Sequence, residues 1–154
     1  MTNHYPNPWN FNNSDLQLTA SNGRDKLVYS KLGEIAMGAP LGGHCHWTNE
    51  AGQNVNLGTW CGGPALWNFE GTMAVIPLWV RTFGEGTLQR LAVLNIETLG
   101  LTTYEQFFDV LDLRSFSNNR VYGYDSPIHK TKTVDFDLLT AKIESKRKVQ
   151  QVAI

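Results

Sequence analysis

Thr72-Met-Ala-Val-Ile-Pro-Leu-Trp-Val-Arg81, then Phe83-Gly-Glu-Gly86, then Thr87-Leu-Gln-Arg-Leu-Ala-Val-Leu-Asn-Ile-Glu-Thr98: the fold is decided by how this stretch is read. The first run is almost continuously apolar, which predicts a strand covered on both faces rather than one with a wet side. Pro77 has no N–H to give a ladder, so the same run demands a bulge or an edge position at that point. The glycine-containing tetrapeptide predicts a hairpin connection. The second run centres on Leu91-Ala-Val-Leu94, apolar on both faces, and so predicts a second doubly covered strand. Leu99-Gly100 supplies the next turn. Leu101 to Phe116 follows, aromatic and β-branched. Phe107, Val110 and Leu111 also fit a helical stripe through Tyr104 to Leu113, but the run of hairpins favours strand.

Outward from this centre the punctuation continues. Asp15 to Thr19 alternates, with Leu16 and Leu18 on one side. Ser21-Asn-Gly-Arg24 is a turn signal, and Lys26 to Lys31 reads as a strand. Gly33 to Met37 is a short apolar piece, followed by a loop over Gly38 to Gly43. Asp135 to Gln151 changes character: Asp137 predicts a helix cap, Leu139 and Ile143 sit at i, i+4, and Lys146-Arg147-Lys148 suits the negative end of a helix dipole. The fold expected is mainly β, built of antiparallel sheets with blade-like meanders as a sandwich or partial propeller or barrel, with a C-terminal α-helix.

The chain has 154 residues, 42% of them hydrophobic and 18% charged, with a formal charge of -1. That suits one domain over residues 1–154 and excludes bulk disorder. The near-zero charge argues against coating nucleic acid or an anionic membrane. It conceals a local excess, because Lys130 to Lys148 holds six basic residues against three acidic. A solvated helix and a phosphate contact both fit that segment. The longest apolar stretch is too short to span a bilayer. The first residues carry no basic, apolar leader, and two cysteines without one read as reduced thiols, so the expected compartment is the cytoplasm.

The triplet Trp-Asn-Phe occurs at Trp9-Asn10-Phe11 and again at Trp67-Asn68-Phe69. In the second copy Pro64 and Trp67 precede Glu70-Gly71, a long strand, a glycine turn, a second strand and a third. This order resembles a blade of a TolB-type or WD-repeat β-propeller, across residues 64–116 and more loosely 8–60. The resemblance implies two blade-like halves, with residues 117–154 as a C-terminal turn and helix segment. Two blades cannot close a ring, since propellers use four to eight. Closure through an oligomer, as in two-bladed lectins, and a sandwich or half-barrel both remain open.

The densest polar stretch is Gly42-Gly-His-Cys-His-Trp-Thr-Asn-Glu50. On a strand His44 and His46 project from one face and can reach one metal ion. The spacing from Gly38 through His44, His46 and Glu50 resembles the first motif of the cupins, with Leu57 where that motif closes on glycine and Gly58 next. That resemblance implies a divalent transition metal at His44, His46 and Glu50, with His129 as a later ligand. Cys61 lies in a glycine-rich setting open to a reactive thiol or a buried one. Val121-Tyr-Gly-Tyr-Asp-Ser-Pro-Ile-His129 mixes Tyr122, Tyr124, Asp125 and His129 in the manner of a binding loop, or of a capped strand end. Five tryptophans exceed the needs of the core, which directs Trp47 and Trp60 to a surface.

No nucleophile elbow, P-loop or dinucleotide fingerprint is present in the sequence. The expected function is therefore a non-catalytic interaction protein with a protein partner, of the kind an immunity protein represents, and with no cofactor. Two alternatives are carried: an oligomeric lectin-like module stacking tryptophan on sugars, and a cupin-like metal-dependent enzyme or sensor.

Overall fold

The computed structural model describes residues 6–128 and 130–149. Eleven strands run in chain order: β1 (Lys26–Glu34), β2 (Leu41–Thr48), β3 (Asn54–Cys61), β4 (Leu66–Trp67), β5 (Met73–Arg81), β6 (Thr87–Asn95), β7 (Gly100–Tyr104), β8 (Leu111–Ser117), β9 (Arg120–Asp125), β10 (Lys132–Asp137) and β11 (Ile143–Lys148). The large sheet has the order β1-β2-β3-β5-β6-β7-β11, with β4 also paired to β5; β10-β9-β8 form a smaller sheet. All pairings are antiparallel. The fold is therefore mainly β, and none of its helices is long and apolar enough to cross a membrane, among the described residues.

The β5–β6 hairpin meets the expectation drawn from its sequence. Its register is unbroken from Met73 opposite Asn95 to Arg81 opposite Thr87, and Thr82 N–H bonds the Gly86 carbonyl at 2.8 Å to close the turn. Alternation then divides the side chains between two cores. Ala74, Ile76, Ala92 and Leu94 enter one, with Leu27, Tyr29, Trp47, Val55, Leu57 and Trp67. Val75, Leu91 and Val93 enter the other, with Tyr104, Phe108, Leu111, Leu113, Phe116, Val121 and Phe136. Each fully buried aliphatic side chain contributes about 1.5–3 kcal/mol, so both faces of the hairpin matter comparably. Pro77 sits in this central strand without a bulge, opposite Leu91. Its far side lies where the neighbour changes, since β4 pairs as far as Val75 and β3 begins at Leu78. The missing N–H falls in that gap, and the Pro77 carbonyl accepts from Gly62 N–H at 2.8 Å.

The large sheet curls around the first core without closing. Trp47 on β2 and Ile96 beyond β6 line one pocket, and the Arg147 guanidinium of β11 reaches the Leu57 carbonyl of β3 at 3.0 Å. The N-terminal segment covers this core: Phe11 meets Tyr29 edge-on at 5.0 Å, and the Trp67 indole donates to the Leu18 carbonyl at 2.9 Å. The small sheet is an excursion between β7 and β11, laid on the opposite face of β5–β7 as the second layer of a sandwich.

Four expectations are corrected. Asp15 to Thr19 is no strand; Leu16–Leu18 form one 3-10 turn, and Leu16 is exposed while Leu18 is buried. Residues 38–43 are only partly loop, since β2 starts at Leu41. Leu101 to Phe116 is strand in two pieces, β7 and β8, because residues 105–110 carry the chain from one sheet to the other. The C-terminal helix does not form. Asp137 does cap a turn, its Oδ1 accepting Leu139 N–H at 2.9 Å and its carbonyl accepting Ala141 N–H at 3.0 Å. Propagation needs an apolar face with something to pack on. Leu139 is 77% exposed, and the edge of β7 instead pairs with Ile143–Lys148.

The two Trp-Asn-Phe copies are used differently. The first buries Phe11 and leaves Trp9 half-exposed, its indole donating to the Gly38 carbonyl at 3.3 Å. The second buries Trp67 and Asn68 and exposes Phe69. The strands of 8–60 and those of 64–116 up to β7 share one sheet, joined where Cys61 meets Leu78, while β8 lies in the small sheet.

The register of β8 on β9 shifts between Leu113 and Ser115. This brings β8 backbone so close to Gly123 that a Cβ there would strike the Asp112 carbonyl and lie 3.0 Å from Leu113 Cα. Gly33, in contrast, faces open space. Gly123→Ala is expected to lower stability by about 1–3 kcal/mol in urea unfolding, and Gly33→Ala to stay within about 0.5 kcal/mol of the parent. Equal effects would show that the tight β8–β9 approach is not a constraint on the fold.

Candidate functional site

The residues singled out in the sequence fall into three places. The first is the outer face of β2, on which Gly42, His44 and His46 alternate. A Cβ on Gly42 would press on Ile35, Trp79 and Trp60, so this glycine leaves room for the tryptophan pair above it. Trp60 and Trp79 lie 6.3 Å apart, with the Arg81 guanidinium 5.5 Å from the Trp60 ring centre. His44 is opposite Ser30 and His46 opposite Val28 on β1. The His46 Nδ1 is 3.1 Å from Asn54 Oδ1. Among the described residues no group of three or more His, Cys, Asp or Glu is gathered to hold a metal ion.

Glu50 and Trp47 share a second place. Glu50 lies in the turn after β2 and lines a pocket with Arg24, Asp25, Trp47, Asn49 and Gln53. Trp47 is a core residue at the floor of that pocket, 2% exposed, and its indole donates to Asp25 Oδ1 at 3.0 Å. The pocket thus pairs a buried indole with Glu50 and sets both apart from the outward imidazoles.

The third place is the solvent face of the small sheet. Val121 and Gly123 point inward, so Tyr122 and Tyr124 on the middle strand β9 point out, 40% and 38% exposed. Arg114, from the bulged segment of β8, holds its guanidinium 5.7 Å from the Tyr124 ring centre. The same guanidinium donates to Asp112 Oδ2 at 2.6 Å. Asp112 is 1% exposed, and among the described residues its Oδ1 has no hydrogen-bond partner. On the other flank Arg120 binds Asp135 at 2.9 Å and approaches Asp137 at 3.6 Å. With Thr133 and Val134 of β10, the tyrosines and Arg114 line one shallow groove.

Asp125 serves the loop rather than the face. Its Oδ1 accepts the N–H groups of Asp109 and Val110 at 2.9 and 3.0 Å, tying the approach to β8 against the end of β9. His129 lies outside the described residues. Arg114 and Asp112 were missed in the sequence because the β8–β9 register, which sets Asp112 opposite Tyr124 with Arg114 two residues on at the shift, is not a local signal. The alternation of Tyr122 and Tyr124 about Gly123 was the legible part of the signal.

Cys61 is buried, as is Cys45. Tyr29, opposite Cys45 on β1, donates its hydroxyl to the Gly62 carbonyl at 2.7 Å. The hydrogen bond with the Cys61 thiol, and then burial, push the Cys45 thiol well above its ordinary range. A thiol held protonated is a poor nucleophile. Burial, reinforced by the two thiols, likewise holds the Tyr29 hydroxyl well above its usual value.

Comparison with protein-family models, with curated proteins and with solved structures finds no match to this chain.

The Tyr29 hydroxyl stays protonated in the folded chain after that of the unfolded chain has ionised. Its contribution is therefore complete below about pH 10 and declines as the pH climbs from there through the raised folded value. Tyr29→Phe removes the titrating group, so its stability is expected to fall less steeply in alkaline urea titrations than that of the parent. Parallel slopes contradict the assignment.

Proposed function

We propose that this is a non-catalytic binding protein that holds a protein partner on the solvent face of the small sheet. The observation that carries the reading is the pair Tyr122 and Tyr124, displayed side by side on a strand with neighbours on both flanks and joined by Arg114. Tyrosine and arginine are enriched at the centres of protein interfaces, tyrosine because it offers large rigid area at small entropic cost and arginine because its planar fork bonds in several directions. Here the backbone beneath them is hydrogen-bonded to β8 and β10, so little ordering remains to be done on binding. Arg120, Asp135 and Asp137 form a polar rim beside the aromatic centre, the arrangement expected of a patch that excludes water at its middle. Capping a partner's working surface with such a face is how an immunity-type protein acts, and that is the form of partner the reading favours. Two unpaired, buried thiols are in keeping with a reducing compartment, the cytoplasm.

The test is a photo-cross-linking residue placed at Tyr124 or, as control, at His46, with the chain expressed in its native host. The Tyr124 probe is expected to capture one protein partner that the His46 probe does not. In the purified complex, Tyr122→Ala/Tyr124→Ala is expected to weaken binding by about tenfold or more, the scale of a central aromatic pair. Identical capture from both positions, or a partner unaffected by the double substitution, rejects this face. Glycans captured in place of protein would establish the sugar-binding alternative.

A further inference from the structure

The two ends of the large sheet are finished differently. At β1 the edge is occupied: the Asn13 side-chain amide donates to the Tyr29 carbonyl at 2.8 Å and accepts Tyr29 N–H at 2.7 Å, and Thr19 bridges to Lys26. Asn13 thereby satisfies the groups that another strand would seek. At β11 nothing comparable lies beyond the strand, among the described residues. It pairs with β7 on one side only, and all six of its residues are exposed. A strand edge left in this state is a template for one more strand.

From Ser145 to Lys148 the charge on this edge has one sign. The basic excess of the C-terminal segment is redistributed by folding, since Asp135 and Asp137 face Arg120, and Glu144 lies 3.9 Å from Arg90. Lys146, Arg147 and Lys148 remain together, and no described carboxylate lies within 4.0 Å of Lys146 or Lys148. Lys146 is opposite Thr102 and Lys148 opposite Gly100, and with Thr98 they line a groove along β7 and β11. Lysines on an edge repel basic strands and disfavour neutral ones, which would desolvate the ammonium groups without pairing them. For an acidic strand the same lysines are attractive, so the edge selects by charge sign. Of the small sheet's two outer strands, β10 carries Lys132 together with Asp135 and Asp137, the latter two facing Arg120, and so offers no charge of a single sign.

We infer that β11 is a docking edge for an extended acidic segment of a partner protein, which adds to the large sheet beside Ser145–Lys148 and sets its carboxylates against Lys146 and Lys148. A nucleic acid or other polyanion would use the lysines but has no use for the row of free backbone groups. This favours the peptide. The edge is separate from the tyrosine face, and either can stand without the other.

The experiment is fluorescence anisotropy with the full chain and a dye-labelled peptide of alternating glutamate and valine, about six residues long to match an ordinary strand. The peptide is expected to bind, more weakly as salt is raised. Lys146→Glu/Lys148→Glu is expected to weaken it by about tenfold or more, as for two lost charge pairs, while Tyr122→Ala/Tyr124→Ala leaves it unchanged. Alternate N-methylation of the peptide backbone, which removes strand pairing and keeps the charge, is expected to abolish binding. Lys146→Gln/Lys148→Gln, which adds no repulsion, serves if circular dichroism shows the first variant unfolded. The inference is overturned if the N-methylated peptide binds as well as its parent or the lysine variants bind normally. Tighter binding of a heparin fragment than of the peptide, or no peptide binding at about 1 mM, a bare 4 kcal/mol, overturns it equally.

Discussion

The structure depends on one hairpin being wanted on both sides. β5 and β6 hold Ile76 and Leu94 in the core enclosed by the curled sheet, and Val75, Leu91 and Val93 in the core beneath the small sheet. A strand pair with one wet face can shift by two residues and keep its pattern. This pair cannot, because every side chain from Ala74 to Ile76 and from Leu91 to Leu94 has a buried place to reach. With that register fixed, β7 pairs with β6, and the chain can leave the sheet, build β8–β10 over the hairpin's outer face and return as β11.

This arrangement explains why the aromatic face belongs to the small sheet. Phe116, Val121 and Phe136 point down into the second core, so strand alternation sends Tyr122 and Tyr124 up into solvent. Gln89, fully buried on β6, accepts the Leu111 N–H through its side-chain carbonyl, and its backbone exchanges hydrogen bonds of 2.7 and 2.8 Å with Phe108. The layer that displays the tyrosines is thus bonded to the hairpin as well as packed on it. Rigidity under a recognition surface reduces the entropy lost on binding.

Much of this was legible in the sequence where the signal was periodic and long. Thr72 to Thr98 announced its two covered faces, and the turn at Phe83–Gly86 stands where its glycines put it; the next turn comes earlier than Leu99–Gly100, over residues 96–99, with Gly100 already the first residue of β7. The signal failed where a local preference competed with a distant partner. Asp137 does begin a helical turn, but whether a helix grew from it depended on the unpaired edge of β7, which lies more than thirty residues back (Gly100–Tyr104) and is invisible to any local window. Pro77 read as an edge or bulge because the discontinuity that accommodates it belongs to its neighbours, β3 and β4. Of the site residues, Tyr122 and Tyr124 were accessible through alternation alone. Arg114 required the β8–β9 register, and Trp47 could not be told from Trp60 without knowing which face of each strand was enclosed.

On this structure the proposed recognition face is carried by the shared hairpin and does not open by itself. Native-state hydrogen exchange read amide by amide tests this most directly. The account predicts that the β9 amides paired with β8 and β10 open with the same free energy as those between β5 and β6, only through global unfolding. A distinctly lower opening free energy for β8–β10, with β5–β6 still protected, would show an independent flap and contradict it.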